Sequence, residues 1–207
     1  WHLISVIDPI FTIPILLLVI VAAIKNKKIY SYIALGWLII YLSVSYIQQY
    51  RATVLIKEVI SHRNHAASRL IVKPSFANII VWKSLYESNG NYYIDAIRIV
   101  SNSKFISGTK TKKLDIDESF PWLDRKSQQA KDIERFRWFS DNYLSQSDKY
   151  PMQIMDVRFT SLPHTLSPLW SIELNPSARF NTHIKYVTNR KLNDRRYEKL
   201  WDLIRDK

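Results

Sequence analysis

The sequence predicts an α+β membrane protein: a transmembrane helical hairpin followed by a soluble domain with a small antiparallel sheet and flanking helices. Three observations carry this. Residues 1–24 and 29–50 are largely apolar runs separated only by Lys25-Asn26-Lys27-Lys28, and each reaches the roughly 20 residues a helix needs to cross a bilayer core. Mean hydropathy over the whole chain is only −0.16, so the apolar residues are concentrated in those runs and the rest has the composition of a soluble domain. That remainder holds the clearest β-hairpin signal, two β-branched and aromatic runs around Ser88-Asn89-Gly90-Asn91. The division expected is a hairpin over 1–50, a juxtamembrane amphipathic helix over 51–73 and an α+β domain over 74–207.

The first helix carries Asp8, Pro9 and Pro14. An ionisable residue at membrane depth is a functional candidate. Asp8 also stands where a cap would, with proline at the first helical position. With so short a connection, the second helix is the antiparallel neighbour of the first. Trp1, Tyr30, Tyr32, Trp37, Tyr46 and Tyr50 are the side chains expected to anchor the pair, the tyrosines lying toward the helix ends as in aromatic belts. Ser43 and Ser45 suit helix packing. Helical spacing continues through Ala52, Leu55, Ile56, Val59 and Ile60, with Arg51, Lys57, Glu58, His62 and His65 opposite. This is either a continuation of the second helix or an amphipathic helix on the bilayer surface. His62 and His65, three apart, have a spacing at which they would share a metal, though an exposed polar face explains them equally.

Pro74 ends this region. Strands are expected over 79–87 and 92–100, a strand or loop over 104–113, and an acidic connection over 115–124. Asp124 is placed to cap a helix with the stripe Ala130, Ile133, Phe136, Phe139 and Tyr143. Strands are expected again over 152–160 and 169–174, with Trp170, Ile172 and Leu174 on one face. A last helical stripe runs through Tyr197, Leu200, Trp201 and Ile204. Asp156 and Arg158 share a face of their strand, and a structural ion pair at the surface, between the two or with Glu173, is the simple reading.

Charge narrows the function. The chain carries a formal net charge of +12. Setting aside Lys25, Lys27, Lys28 and Asp8 leaves 27 basic and 17 acidic residues after residue 50, a net +10. A basic domain tethered to a bilayer faces anionic headgroups most simply. No zinc-finger spacing or glycine-rich RNA-binding signature is present, so no nucleic acid is expected as a partner. The absence of cysteine excludes disulfides and Cys-ligated zinc. With three glycines, no phosphate loop, dinucleotide fingerprint or nucleophile elbow is found. Residue 1 is Trp and no signal-peptide pattern precedes the apolar run, so the chain is expected to begin upstream. Lys25, Lys27 and Lys28 argue for a cytoplasmic hairpin tip, while Arg51, Lys57, Arg63 and Arg69 argue the reverse.

The run Ile7-Asp8-Pro9-Ile10-Phe11-Thr12-Ile13-Pro14-Ile15-Leu16 resembles the "DPlyTlPLL" helix of the membrane-bound metal-dependent hydrolase family, the LexA-regulated type of bacterial inner membranes. The subsequent order of elements is also similar: a second membrane helix, Pro74-Ser75-Phe76-Ala77-Asn78, Trp82 and the hairpin to Tyr93, then Phe136-Arg137-Trp138-Phe139-Ser140 and Asp156-Val157-Arg158-Phe159. The match covers nearly the whole chain, as the C-terminal half of the family pattern. It implies a multi-pass inner-membrane protein whose His-rich elements lie in a missing N-terminal transmembrane half. It also implies a divalent metal, zinc for instance, with Asp8 the one metal-site residue carried over. Such a metal would lower the pKa of a bound water and supply hydroxide at the bilayer surface. The alternative is a non-catalytic membrane-anchored module whose basic domain binds a partner protein or anionic headgroups.

Overall fold

A computed structural model of the chain describes residues 2–188 and 194–205; Trp1 lies outside them. Two apolar helices lead into two four-stranded antiparallel sheets with further helices between and after. α1 (Pro9–Lys25) ends at Asn26, whose φ of 50° is left-handed, a conformation Asn tolerates better than most residues. The chain turns there, and α2 (Ile29–His62) lies back against α1.

α2 is one unbroken helix of 34 residues, long and apolar enough to cross a membrane. Its two halves have different surroundings. In the first, Ile33, Ile40, Val44 and Ile47 are exposed, as are Ile10, Ile13, Leu16, Leu17 and Ile20 of α1. Contiguous apolar surface on this scale marks contact with something other than water. In the second half, Ala52, Ile56 and Ile60 are buried against Val72, Trp82, Tyr86 and Ile97. Of the two expectations for this stretch, continuation of the second helix is the one observed. The helix expected as far as residue 73 stops at His62, because Asn64 adopts φ 52°; the chain then enters a strand. Polar side chains fasten the junction: Gln48 Nε2 donates to Ile99 O at 3.0 Å, Gln49 Nε2 to Val72 O at 3.1 Å and Arg51 to Val100 O at 2.6 Å.

The first sheet is a meander of β1 (Arg69–Pro74), β2 (Val81–Ser88), β3 (Asn91–Arg98) and β4 (Lys104–Lys112). The expected turn is present, with Asn89 at φ 49° and Gly90 at φ 68°, the positive pair that a two-residue turn matched to strand twist requires. The register slips between Ile94 and Ala96. The Asp95 carboxylate at this bulge accepts the Gly108 N–H at 2.9 Å and pairs with Arg63 at 2.7 Å. Gly108 has no room for a Cβ, since the carbonyls of Ile94 and His164 close on it from either side.

One face of this sheet packs on α2. The other places Leu85, Tyr92 and Ile94 against Tyr143 and Val157, so β2 is buried along nearly its whole length instead of alternating. After the short α3 (Ile116–Ser119), α4 (Gln128–Phe139) is capped by Ser127, whose Oγ accepts the Ala130 N–H at 3.3 Å; Asp124 is not the cap. Ala130, Ile133 and Phe136 are buried as expected, while Phe139 is exposed and Tyr143 follows the helix.

The second sheet orders β5 (Leu144–Gln146), β6 (Gln153–Asp156), β7 (Trp170–Glu173) and β8 (Lys185–Thr188). Leu144, Ile154 and Ile172 bury against α4. The strand expected over 152–160 leaves the ladder after Asp156. The single small sheet expected is thus two: β1 is hidden in the apolar run that continues from α2, and β5 and β8 are too short to signal themselves. In α5 (Asp194–Arg205) Leu200 is buried and Trp201 exposed, and the Tyr197 side chain lies outside the described residues.

The contrast between the halves of α2 is measurable. Ile56→Ala, at a fully buried position, is expected to destabilise the chain by about 2–5 kcal/mol in mixed-micelle denaturation. Ile40→Ala, exposed on the same helix, should leave the transition within about 0.5 kcal/mol.

Candidate functional site

Asp8 is a helix cap. Its Oδ1 accepts the Phe11 N–H at 3.1 Å and its Oδ2 accepts the Tyr41 hydroxyl at 2.6 Å. Tyr41, which sequence reasoning passed over, therefore ties the start of α1 to the middle of α2. Ser45 does the same one turn on, donating to Leu3 O. Tyr46 and Tyr50 are exposed where α2 approaches the sheets, and Tyr32 is exposed at the far end with Tyr30 half-buried beside it. Trp37 sits mid-helix, its ring 6.1 Å from that of Tyr41.

His62 and His65 do not converge. His62 is exposed, whereas His65 Nδ1 lies 2.9 Å from the Tyr86 hydroxyl and its ring 4.5 Å from that of Tyr93. His183 pairs with Asp132 at 2.7 Å. Among the described residues, no three His, Cys, Asp or Glu side chains form a metal-binding group. Asp8, with both oxygens engaged, belongs to none, so these residues do not by themselves assemble the metal centre implied by the resemblance.

Asp156 and Arg158 do pair, but not at the surface. The carboxylate is fully buried and accepts the Arg158 Nε–H at 3.0 Å and NH2 at 2.7 Å, with the Arg158 N–H at 3.0 Å completing a local clamp. Burial follows from the chain leaving β6 here, which folds Arg158 back over Asp156. Glu173 pairs instead with Lys185 at 3.3 Å.

This clamp borders a cavity of about 230 Å³ lying between the first sheet, the 158–169 loop and the 2–6 segment that leads into α1. Its polar lining includes His2, Lys73, Ser75, Lys83, Arg158 and Ser161; Ile4, Val6 and Phe76 contribute apolar wall. Lys73 and Lys83 are cross-strand partners in the β1–β2 ladder, so their side chains leave the same face of the sheet about 5 Å apart at Cβ. Like charges directly opposite are unfavourable in a sheet, and here the pair sits on the interior face. The loop beside it is built by Asn78, whose Oδ1 accepts the N–H groups of Ile80 and Val81 at 2.9 and 2.7 Å while its Nδ2 donates to Ser75 Oγ at 2.8 Å.

The two lysines are held differently. Lys83 Nζ donates to Val157 O and Thr160 Oγ1, each at 2.8 Å. An ammonium has three donors, and the third has no acceptor among the described residues. Lys73 Nζ sits 3.5 Å from the centroid of the Phe159 ring and has no hydrogen-bond acceptor among the described residues. Asp156 is the one carboxylate beside this group, and it is committed to Arg158. Burial pushes Lys73 down to about 7 against the pull of Asp156 and with help from Arg158. Burial and the neighbouring Lys73 push Lys83 well below the ordinary lysine range. The cavity thus gathers basic groups in excess of any carboxylate, lysines that burial holds toward the neutral amine and that a bound anion would return to ammonium, an arrangement suited to receive an anion.

Sequence reasoning singled out Asp156 and Arg158 but missed the lysines. The signal was present in Val81, Lys83 and Leu85, which alternate on one face of a strand and place a charged residue among core positions. No protein-family profile matches the chain, and neither does any curated protein or solved structure.

The depressed Lys73 pKa gives a signed prediction. Between pH 7 and 10.5 the unfolded chain holds more protons at this position than the folded chain, so its contribution to stability rises with pH across that window. The thermal midpoint of the wild type relative to Lys73→Met should therefore climb between those limits; parallel curves would refute the assignment.

Proposed function

We propose that the chain is a membrane-anchored module that presents a basic domain at the bilayer surface and holds an anionic headgroup in the cavity of Lys73 and Lys83. The observation that carries this reading is the cross-strand lysine pair, two basic side chains opposite one another with their nearest carboxylate already paired. The position of the cavity favours a membrane ligand over a soluble one. Its wall includes Ile4 and Val6, and the exposed apolar surface begins at Val6 and Ile7 and continues along both helices.

The dimensions agree with an anchor that crosses the bilayer twice. At 1.5 Å per residue, Ile29 to Tyr50 of α2 covers about 32 Å, close to the roughly 30 Å of a hydrocarbon core. α1, of 17 residues, is completed by the apolar segment ahead of it. Lys25, Lys27 and Lys28 lie at one end of this span, and Tyr46, Tyr50 and Arg51 at the other, an order in keeping with interfacial anchoring. The resemblance around Asp8-Pro9 favours a bacterial inner membrane as the setting.

Two measurements test this. The full chain should remain in membranes through alkaline carbonate extraction; release would remove the anchor from the reading. In neutral detergent, phosphatidylglycerol should raise the thermal midpoint by about 2–4 °C over phosphatidylcholine at equal mole fraction, and Lys73→Gln should remove most of that difference. Equal midpoints in the two lipids for the wild type would refute headgroup binding.

A further inference from the structure

We infer that the group held between Lys73 and Lys83 is a phosphomonoester dianion, carried on a lipid, and that the site prefers it to phosphodiester headgroups. This rests on the anionic-headgroup reading above and narrows it by counting charge and donors.

The charge count begins with the buried clamp. Asp156 and Arg158 neutralise one another through two side-chain hydrogen bonds at 3.0 and 2.7 Å. What remains on the cavity wall is Lys73 and Lys83, with His2 at the edge. Once a bound anion holds both as ammonium, the two lysines balance a charge of −2. A phosphodiester headgroup such as that of phosphatidylglycerol brings −1 and leaves one ammonium uncompensated; a phosphomonoester above its second pKa of about 6 brings close to −2. The groups facing the lysines from neighbouring elements are Asp156, Arg158 and His2. Of these only Asp156 is acidic, so no further carboxylate among the described residues offsets the balance.

The donor count agrees. As ammonium, Lys73 has three N–H groups with no acceptor among the described residues, and Lys83 has one beyond those given to Val157 O and Thr160 Oγ1. A terminal phosphate offers three unsubstituted oxygens, whereas a diester offers two. Ser75 and Ser161 add hydroxyls on the same wall. The cavity, at about 230 Å³, has room for a phosphate group and the start of what it is esterified to. Burial favours neutral amines, and a dianion beside them favours ammonium, so binding draws protons onto the lysines.

The carrier is argued from the remaining wall. Ile4, Val6, Phe76, Pro163 and Leu169 supply apolar lining, and Val6 is 87% exposed where this wall passes into the apolar surface of α1. A soluble phosphomonoester would leave that lining facing water, whereas the glycerol backbone and upper acyl chain of a phosphatidic-acid-like lipid would cover it.

The test uses the full chain in nanodiscs of phosphatidylcholine doped equally with phosphatidic acid and phosphatidylglycerol, with bound lipid read by native mass spectrometry. At about pH 7.5, where the monoester carries more negative charge than the diester, phosphatidic acid should be retained about tenfold over phosphatidylglycerol. The ratio should fall toward one at about pH 5, where the monoester is singly charged. Lys73→Gln, on the cavity wall and outside the Asp156–Arg158 clamp, should bring the ratio near one at both pH values, and Lys73→Arg should restore it. Equal retention of both anionic lipids over phosphatidylcholine would overturn this inference while leaving the headgroup reading standing; retention of neither would overturn both. Displacement of phosphatidic acid by inorganic phosphate or glycerol 3-phosphate at matched concentration would overturn the lipid carrier and assign the site to a soluble phosphomonoester.

Discussion

The structure depends on one helix serving two environments. α2 is continuous from Ile29 to His62, so its rotation and rise fix the first sheet relative to the apolar surface of α1. Where Ala52, Ile56 and Ile60 bury against Trp82, Tyr86 and Ile97, the helix is an ordinary core element, stabilised by removing apolar area from water at about 25 cal/mol per Å². One turn earlier the same helix exposes Ile47 and Tyr50. Between these halves Gln48, Gln49 and Arg51 donate to the carbonyls of Ile99, Val72 and Val100. Those bonds engage carbonyls on the edge strand β1 and just past the end of β3, groups that a boundary must satisfy.

The lysine pair is the feature that stability alone does not explain. A buried, incompletely paired amine is among the costlier groups a core can contain; Lys83 is one, and β1–β2 places the half-buried Lys73 in register with it. An apolar pair at positions 73 and 83 would match Ile71 and Leu85 one step along the same face. Departure from local consistency of this kind tends to accompany a functional site. The buried Asp156–Arg158 clamp has the opposite character, since its charges are matched and its carboxylate is saturated by N–H donors. Its effect is to leave the lysines without an internal counter-charge.

Much of the architecture is legible in the sequence, and the gaps have physical causes. The apolar runs, the Asn89-Gly90 turn, the Asp8 cap and the Ala130–Ile133–Phe136 stripe each rest on local rules of period or backbone conformation that tertiary context leaves in force. Residues 69–74 read as helix because Leu70, Ile71 and Val72 continue an apolar run, whereas Asn64 in left-handed backbone breaks the period first. β5 and β8, of 3 and 4 residues, are too short to display alternation. The candidate site is half visible: Asp156 and Arg158 stand out by their shared strand face. That they are buried, and that Lys73 lies opposite Lys83, depends on long-range pairing that no local pattern encodes.

The segment ahead of α1 joins these two themes. Residues 2–7 form a wall of the cavity and are also bound to both sides of the junction: Gln49 donates to His2 O, Ser45 to Leu3 O, and the Ala77 N–H contacts both Ser5 Oγ and Ile7 O. Ala77 belongs to the Asn78-built loop that borders the lysines, and Ser45 and Gln49 belong to α2. The cavity is therefore closed by a strap whose position is set by the helix pair on one side and by the first sheet on the other. In the proposed membrane arrangement this has a direct consequence. A chain lacking α1 and the strap would keep the lysine pair on its sheet but lose the wall that makes a cavity of it, so the binding site belongs to the anchor and the domain together.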